Sequence, residues 1–327
     1  MQSVAAEVVS LLADVAPRLA RIAAFIAIGV FAANLAVAFG LIRYVAGLSG
    51  RLTRPANLPD EVGTAILTTA ASTTAGYATL AEYRESGLLD DRATLVAVVI
   101  NTFFGFVQHV FTYYIPVLIP ILGVETGIVY VSARAGIALA ITVTGVLAGG
   151  VLLSERNVNR EALAAIDATG PEGDDRTGRE RVREAGATSW STLRRIVPRL
   201  ALVYTLVIAF VTTYDVEALT GVAEPITGVL GLPGAAVPVI AVYTLDTTAG
   251  AVTIAGVDAG TFTTRTAVAT LLIGGILSFA VSTFRRSIPF QYGIWGAEFG
   301  TKVIAVNTAL KLVFISVAVT LLLAPVW

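Results

Sequence analysis

The chain alternates long apolar runs with short polar ones. Four hydrophobic blocks fall near 20–46, 59–83, 93–120 and 126–153, and four more near 196–219, 233–257, 266–290 and 299–325. A helix crossing about 30 Å of hydrocarbon needs about 20 residues, so the first, third and fourth block of each set predict transmembrane helices. The second block differs. Residues 59–83 (PDEVGTAILTTAASTTAGYATLAEY) are rich in Thr, Ser, Ala and Gly and are interrupted at Ser72–Gly76. Two half-helices of about a dozen residues reach only ~18 Å each. That predicts a re-entrant helical hairpin, which is tolerated where it is buried in protein or lines a cavity.

The two sets are copies of one unit. A shift of 174 residues aligns Ser72-Thr-Thr-Ala-Gly76 with Asp246-Thr-Thr-Ala-Gly250, Leu58-Pro59 with Leu232-Pro233 and Gly47 with Gly221. At a shift of 173, Gly87 meets Gly260, Arg92 meets Arg265, and Ile115-Pro116, Ile121, Gly123, Glu125 and Gly127 meet Ile288-Pro289, Ile294, Gly296, Glu298 and Gly300. Self-similarity at a fixed spacing is the signature of internal duplication. The expected domains are a membrane repeat at 1–153, a charged linker at 154–198 and a second membrane repeat at 199–327, whose homology begins near 175.

Composition fixes the environment of these helices. Of 327 residues, 56% are hydrophobic and 14% charged, with a mean hydropathy of +0.80. Soluble domains are about 45–50% apolar and roughly 25% charged, so the chain is expected in the cell membrane as a multi-pass protein. The 21 residues MQSVAAEVVSLLADVAPRLAR predict an interfacial helix feeding the first span rather than a signal peptide. The linker holds eight acids and eight bases around a Gly-Pro-Glu-Gly-Asp-Asp break, with helical stretches expected on either side. With a net charge of −1 no basic field exists to hold nucleic acid. The absence of cysteine and the single His109 exclude thiolate and histidine-rich metal sites.

Charge placement favours hairpins over full spans. If both second blocks are re-entrant, the linker side carries 17 Lys and Arg against 3 on the other; if both span, the tally is 14 against 6. The positive-inside rule therefore selects the hairpins and a cytoplasmic linker. Three spans plus a hairpin is an odd number of crossings, so the fold class expected is all-α, with two inverted-topology repeats of about three transmembrane helices and one re-entrant hairpin each. Inverted repeats around broken helices are characteristic of secondary transporters.

Candidate chemistry lies where polar residues enter the apolar blocks. The hairpin tips offer Ser72, Thr73, Thr74 and Gly76, and Asp246, Thr247, Thr248 and Gly250. At a helix break, backbone groups lose their partners and neighbouring hydroxyls add ligands, so such a tip can hold a solute or a dehydrated cation. Asp246, whose counterpart is Ser72, is a candidate for coupling Na+ or H+, or alternatively a plain helix cap. Glu298, Lys302, Asn307 and Lys311 share a helix face, with Glu125 and Arg134 at the equivalents of Glu298 and Asn307. Lys302 is expected to pair with Glu298 at the membrane surface. Arg134 and Lys311 lie deeper and require a partner, either Asp246 or a substrate anion. Asn101, Gln108 and His109 on the third block are candidates for substrate hydrogen bonding, and Pro116, Pro120 and Pro289 for kinks.

The paired blocks around Leu58-Pro59…Thr73-Thr74-Ala75-Gly76 and Leu232-Pro233…Thr247-Thr248-Ala249-Gly250, each followed by a span ending Ile-Pro, resemble the archaeal membrane proteins that carry nucleoside-recognition (Gate) domains. The resemblance implies a solute-translocating core with re-entrant elements. The expected function is secondary transport of a small polar solute, a nucleoside among the candidates, coupled to Na+ or H+ and without another cofactor. Alternatives are a cation channel or metal-ion permease and a lipid or headgroup flippase. An enzyme is not expected, since neither HExxH nor G-x-S-x-G occurs. The partners expected are the lipid bilayer and a small-molecule solute, with no nucleic acid; a homo-oligomer is compatible with the sequence.

Overall fold

The computed structural model describes residues 53–159, 177–213, 227–257 and 260–324, with isolated positions between 16 and 35. The N-terminal segment, most of the first hydrophobic block and the middle of the linker lie outside the described residues. Among those described the chain is helical and contains no strand. Among the described residues, three helices are long and apolar enough to cross a membrane: Asp91–Leu122, Val124–Leu152 and Ile288–Leu323.

In chain order, α1 (Asp60–Ala71) and α2 (Thr73–Glu85) meet at Ser72. Next come α3 (Asp91–Leu122) and α4 (Val124–Leu152). The helix α5 (Gly178–Thr213) runs unbroken from the linker through Pro198 into the apolar block, so the expected boundary at 198/199 falls inside one helix. The second set continues with α6 (Ala236–Leu245), α7 (Thr247–Gly256), α8 (Thr264–Ser282) and α9 (Ile288–Leu323).

The same local geometry is made twice at the sequence offset. Leu58 N donates to Thr53 O, and Leu232 N to Thr227 O, each at 3.1 or 3.0 Å, closing turns whose left-handed residues are Asn57 and Gly231. The helix break is narrower than expected: one extended residue, Ser72 in the first set and Asp246 in the second. The Thr-Thr-Ala-Gly that follows is the first turn of the next helix. Ser72 Oγ accepts from Ala75 N at 3.3 Å, and Asp246 Oδ1 accepts from Ala249 N at 2.8 Å, so each break residue caps the helix it opens.

Glycine then lets the two arms close on each other. A Cβ on Gly76 would collide with the side chain and backbone of Thr69, and one on Gly250 with Tyr243, which is the equivalent of Thr69. These glycines allow the two arms to pack closely.

Downstream, Asp90 and Thr263 cap α3 and α8 through Ala93 N and Thr266 N. π-helical turns follow at Val110–Leu118 within α3, which contains Ile115-Pro116, and at Thr283–Ser287 between α8 and α9, immediately before Ile288-Pro289. Proline supplies no N–H to the ladder, which frees carbonyls and widens the turn. The chain then reverses or kinks at Gly123 (φ 82°) and Gly296 (φ 73°), backbone conformations that need glycine.

The two sets share their cores. One apolar cluster joins Tyr130, Ile137 and Ile141 of α4 to Val239 and Tyr243 of α6 and Leu271 of α8. Another joins Leu80, Phe104 and Ile100 to Trp295, Phe299 and Val303 of α9. The outer faces of α4 and α9 stay apolar, with Ile128, Leu139, Leu147, Val313, Val317 and Leu321 exposed, as helices facing hydrocarbon require.

Candidate functional site: two cavities and a tyrosine partition

Among the described residues, polar side chains that enter the apolar helices converge on two cavities. The first encloses about 230 Å³ and takes Thr73 from the first tip, Asn101 and Tyr114 from α3, Arg134 from α4, and Asn307 and Lys311 from α9. Arg134 and Asn307 occupy equivalent positions of the two sets, as do Ala138 and Lys311, which also line it. The second encloses about 460 Å³ beside the second tip and is lined by Tyr113, Thr244, Asp246, Thr247, Thr248, Ser278, Ser282 and Arg286. The two share no lining residue.

Tyrosines fill the space between them. Tyr113 and Tyr114 sit side by side on the π-helical turn of α3; Tyr113 faces the second cavity and Tyr114 the first. The Tyr113 hydroxyl lies 3.0 Å from Thr248 Oγ1 and 3.4 Å from Thr247 Oγ1, tying the first set to the second tip. Tyr130 and Tyr243 share a 2.7 Å hydrogen bond, and the Tyr114 and Tyr130 rings lie 6.2 Å apart. Arg134 sits among the Tyr114, Tyr130 and Tyr243 rings. Hydroxyl-bearing aromatics in apolar spans are the sequence signal for this partition.

The expected site residues divide accordingly. Thr73 lines the first cavity and donates to Gln108 Oε1 at 3.5 Å, while Ser72 and Thr74 are exposed at the tip outside its lining. Asn101 is 1% exposed, and neither its Nδ2 nor its Oδ1 has a hydrogen-bond partner; Asn307 Oδ1 is likewise unpaired. His109 lines the same cavity and uses Nδ1 on Gly105 O at 3.0 Å.

Asp246, Thr247 and Thr248 face the second cavity, so Asp246 does not serve as the counter-charge of Arg134 and Lys311. Neither cation enters an ion pair among the described residues. Lys302 makes the expected bond to Glu298 at 3.2 Å and a second at 3.2 Å to Asp91 on α3, which the sequence did not suggest. Arg265 donates to Leu322 O at 2.9 Å and Ala324 O at 2.8 Å, closing the end of α9. Among the described residues no group of three His, Asp or Glu is placed to hold a metal ion.

Comparison with known proteins yields two uncharacterized relatives from Methanocaldococcus jannaschii. The chain is 26% identical to MJ0871 over 294 residues, 89% of each chain, and 25% identical to MJ0880 over 316 residues, 95% of this chain and 99% of that one. No family model and no solved structure matches. The chain is thus similar, over nearly its full length, to two archaeal proteins whose function is uncharacterized.

Proposed function

We propose that the protein is a multi-pass secondary transporter of a small polar solute, built from two inverted repeats whose broken helices, α1–α2 and α6–α7, enter the membrane as re-entrant hairpins. The observation that carries the reading is the first cavity. It places Arg134, Lys311 and Asn101 inside a set of helices apolar enough to cross a bilayer. Ionisable groups at such a depth are costly and mark solute or ion paths. Support for the repeat comes from the twice-made tip, and from the cavity's placement between equivalent positions of α4 and α9.

In this reading the first cavity holds the solute. The second, with Asp246 and its neighbouring hydroxyls, holds the coupling Na+ or H+. The tyrosine partition separates them, and rocking of one repeat against the other around the cavity opens it to each side in turn.

Uptake tests the proposal. The purified protein in sealed vesicles is offered a mixture of small polar metabolites under an imposed Na+ or proton gradient, and the contents are read by mass spectrometry. Gradient-dependent accumulation that disappears in Asp246→Asn is expected; equal contents in protein-containing and empty vesicles contradict transport. Topology has its own check. Single cysteines at Gly50 and Ser86 label from the same face if the hairpin is re-entrant, with Gly123 labelling from the other; Gly50 and Ser86 labelling from opposite faces contradicts it.

A further inference from the structure

We infer that the first cavity binds a small organic anion whose carboxylate or phosphate group lies between Arg134 and Lys311, with the Asn101 amide reading a neighbouring polar group. This deepens, and rests on, the reading of that cavity as the solute site.

The charge inventory comes first. Arg134 from α4 and Lys311 from α9 enter one cavity of about 230 Å³, and no Asp or Glu lines it. The four ion pairs among the described residues, Arg54–Asp60, Arg84–Asp91, Lys302–Asp91 and Lys302–Glu298, involve neither. Lys302, about two and a half turns away from Lys311 on α9, shows what a lysine of this helix does when carboxylates are near: it takes two. Two half-buried cations facing one cavity repel each other, so an anion between them is the arrangement that satisfies both. The tyrosine hydroxyls around Arg134 soften its burial but bring no negative charge.

The second observation is independent of charge. Asn101 is 1% exposed, lines the cavity, and has both amide atoms unpartnered. Buried amides in native proteins are almost always hydrogen-bonded, and each unmade bond is expensive. One donor and one acceptor on the same side chain match a ligand group that offers both, such as an amide, hydroxyl or amino function. Asn307 Oδ1, also unpaired, adds an acceptor from the opposite wall. The equivalent of Asn101 in the second set is Gly274, which packs on the Tyr243 ring, so the amide is particular to this cavity. A neutral nucleoside would use the amides and leave both cations unanswered.

The test measures binding in detergent, apart from transport. Melting temperature and calorimetric affinity are compared for matched probes: succinate against succinamide, glycerol phosphate against glycerol, and uridine monophosphate against uridine. At least one anion is expected to stabilise the protein while its neutral counterpart does not. Arg134→Gln and Lys311→Met are each expected to weaken that binding at least about tenfold, the scale of a lost charge-assisted hydrogen bond. Lys311→Arg, which keeps the charge, retains it, and so does Lys302→Met outside the cavity.

Equal stabilisation by the neutral probes, no response to any anion, or unchanged affinity in the Arg134→Gln/Lys311→Met double variant overturns the anion site. Stabilisation by dioctanoyl phosphatidic acid and by no free anion assigns the charge to a lipid headgroup and overturns it as well. Binding in detergent without uptake into vesicles contradicts transport and leaves the anion site standing; uptake of neutral solutes alone does the reverse.

Discussion

The Tyr130 and Tyr243 hydroxyls lie 2.7 Å apart in the buried interior, joining α4 of the first set to α6 of the second. Both side chains also lie beside Arg134, while Tyr243 lines the second cavity, so the pair stands between Arg134 and that cavity. Removing one hydroxyl leaves the other buried without its partner, which costs about 1–3 kcal/mol. Tyr130→Phe and Tyr243→Phe should each lower the melting temperature in detergent. The double variant should fall short of the sum of the two, because both changes delete the same bond.

Close approach at the hairpins predicts a sharp contrast among glycines. Gly76→Ala places a methyl against the Thr69 backbone and Gly250→Ala against Tyr243, where neither neighbour can yield without moving a helix arm. Losses of about 1–3 kcal/mol are expected for each. Gly136, on the open face of α4 with nothing near its Cβ position, should accept alanine with an unchanged or higher melting temperature. Thermal unfolding of the three variants side by side measures the difference.

Asp246 does two things that substitution can separate. Its carboxylate caps α7 through Ala249 N at 2.8 Å and also faces the second cavity. Asn is nearly as good a cap as Asp, whereas Ala costs about 1 kcal/mol. Asp246→Asn should therefore keep the melting temperature of the wild type and lose any stabilisation by Na+ or dependence on proton concentration. Asp246→Ala should lose both. If Na+ stabilises Asp246→Asn as strongly as the parent, Asp246 is not the coupling-ion site.

Arg265 ties down the end of α9 by donating to the Leu322 and Ala324 carbonyls. Those carbonyls have no partner of their own within the helix, as at every helix C-terminus. Arg265→Gln should fray the last turn at a cost of about 1 kcal/mol, read as faster amide exchange over residues 318–324 with the rest of α9 unchanged.

Much of the architecture was legible in the chain because it follows from period and length. Apolar runs of membrane-spanning length became α3, α4 and α9, and the Thr-Thr-Ala-Gly pairs located both helix breaks to within a residue. Local chemistry went further than expected at Ser72 and Asp246, whose shared role as caps explains why different residues stand at one position. What stayed hidden depends on which distant faces meet. Asp246 and Lys311 were natural partners by charge, yet the tyrosine partition puts them in separate cavities. Asn101 was one polar residue among several on α3 until packing buried it without a partner. Tyr113, Tyr114, Tyr130 and Tyr243 gave no periodic signal, since tyrosine is equally at home in a core and at an interface.

Access to the first cavity tests the account most directly. The chain has no cysteine, so single cysteines replacing Thr73 and Asn307, both lining residues, report on that cavity alone. Membrane-impermeant thiol reagents are applied to sealed vesicles of each orientation. A site that opens alternately to the two sides predicts labelling of both cysteines from both faces. Labelling from one face only, or from neither, would contradict a translocation path through Arg134 and Lys311.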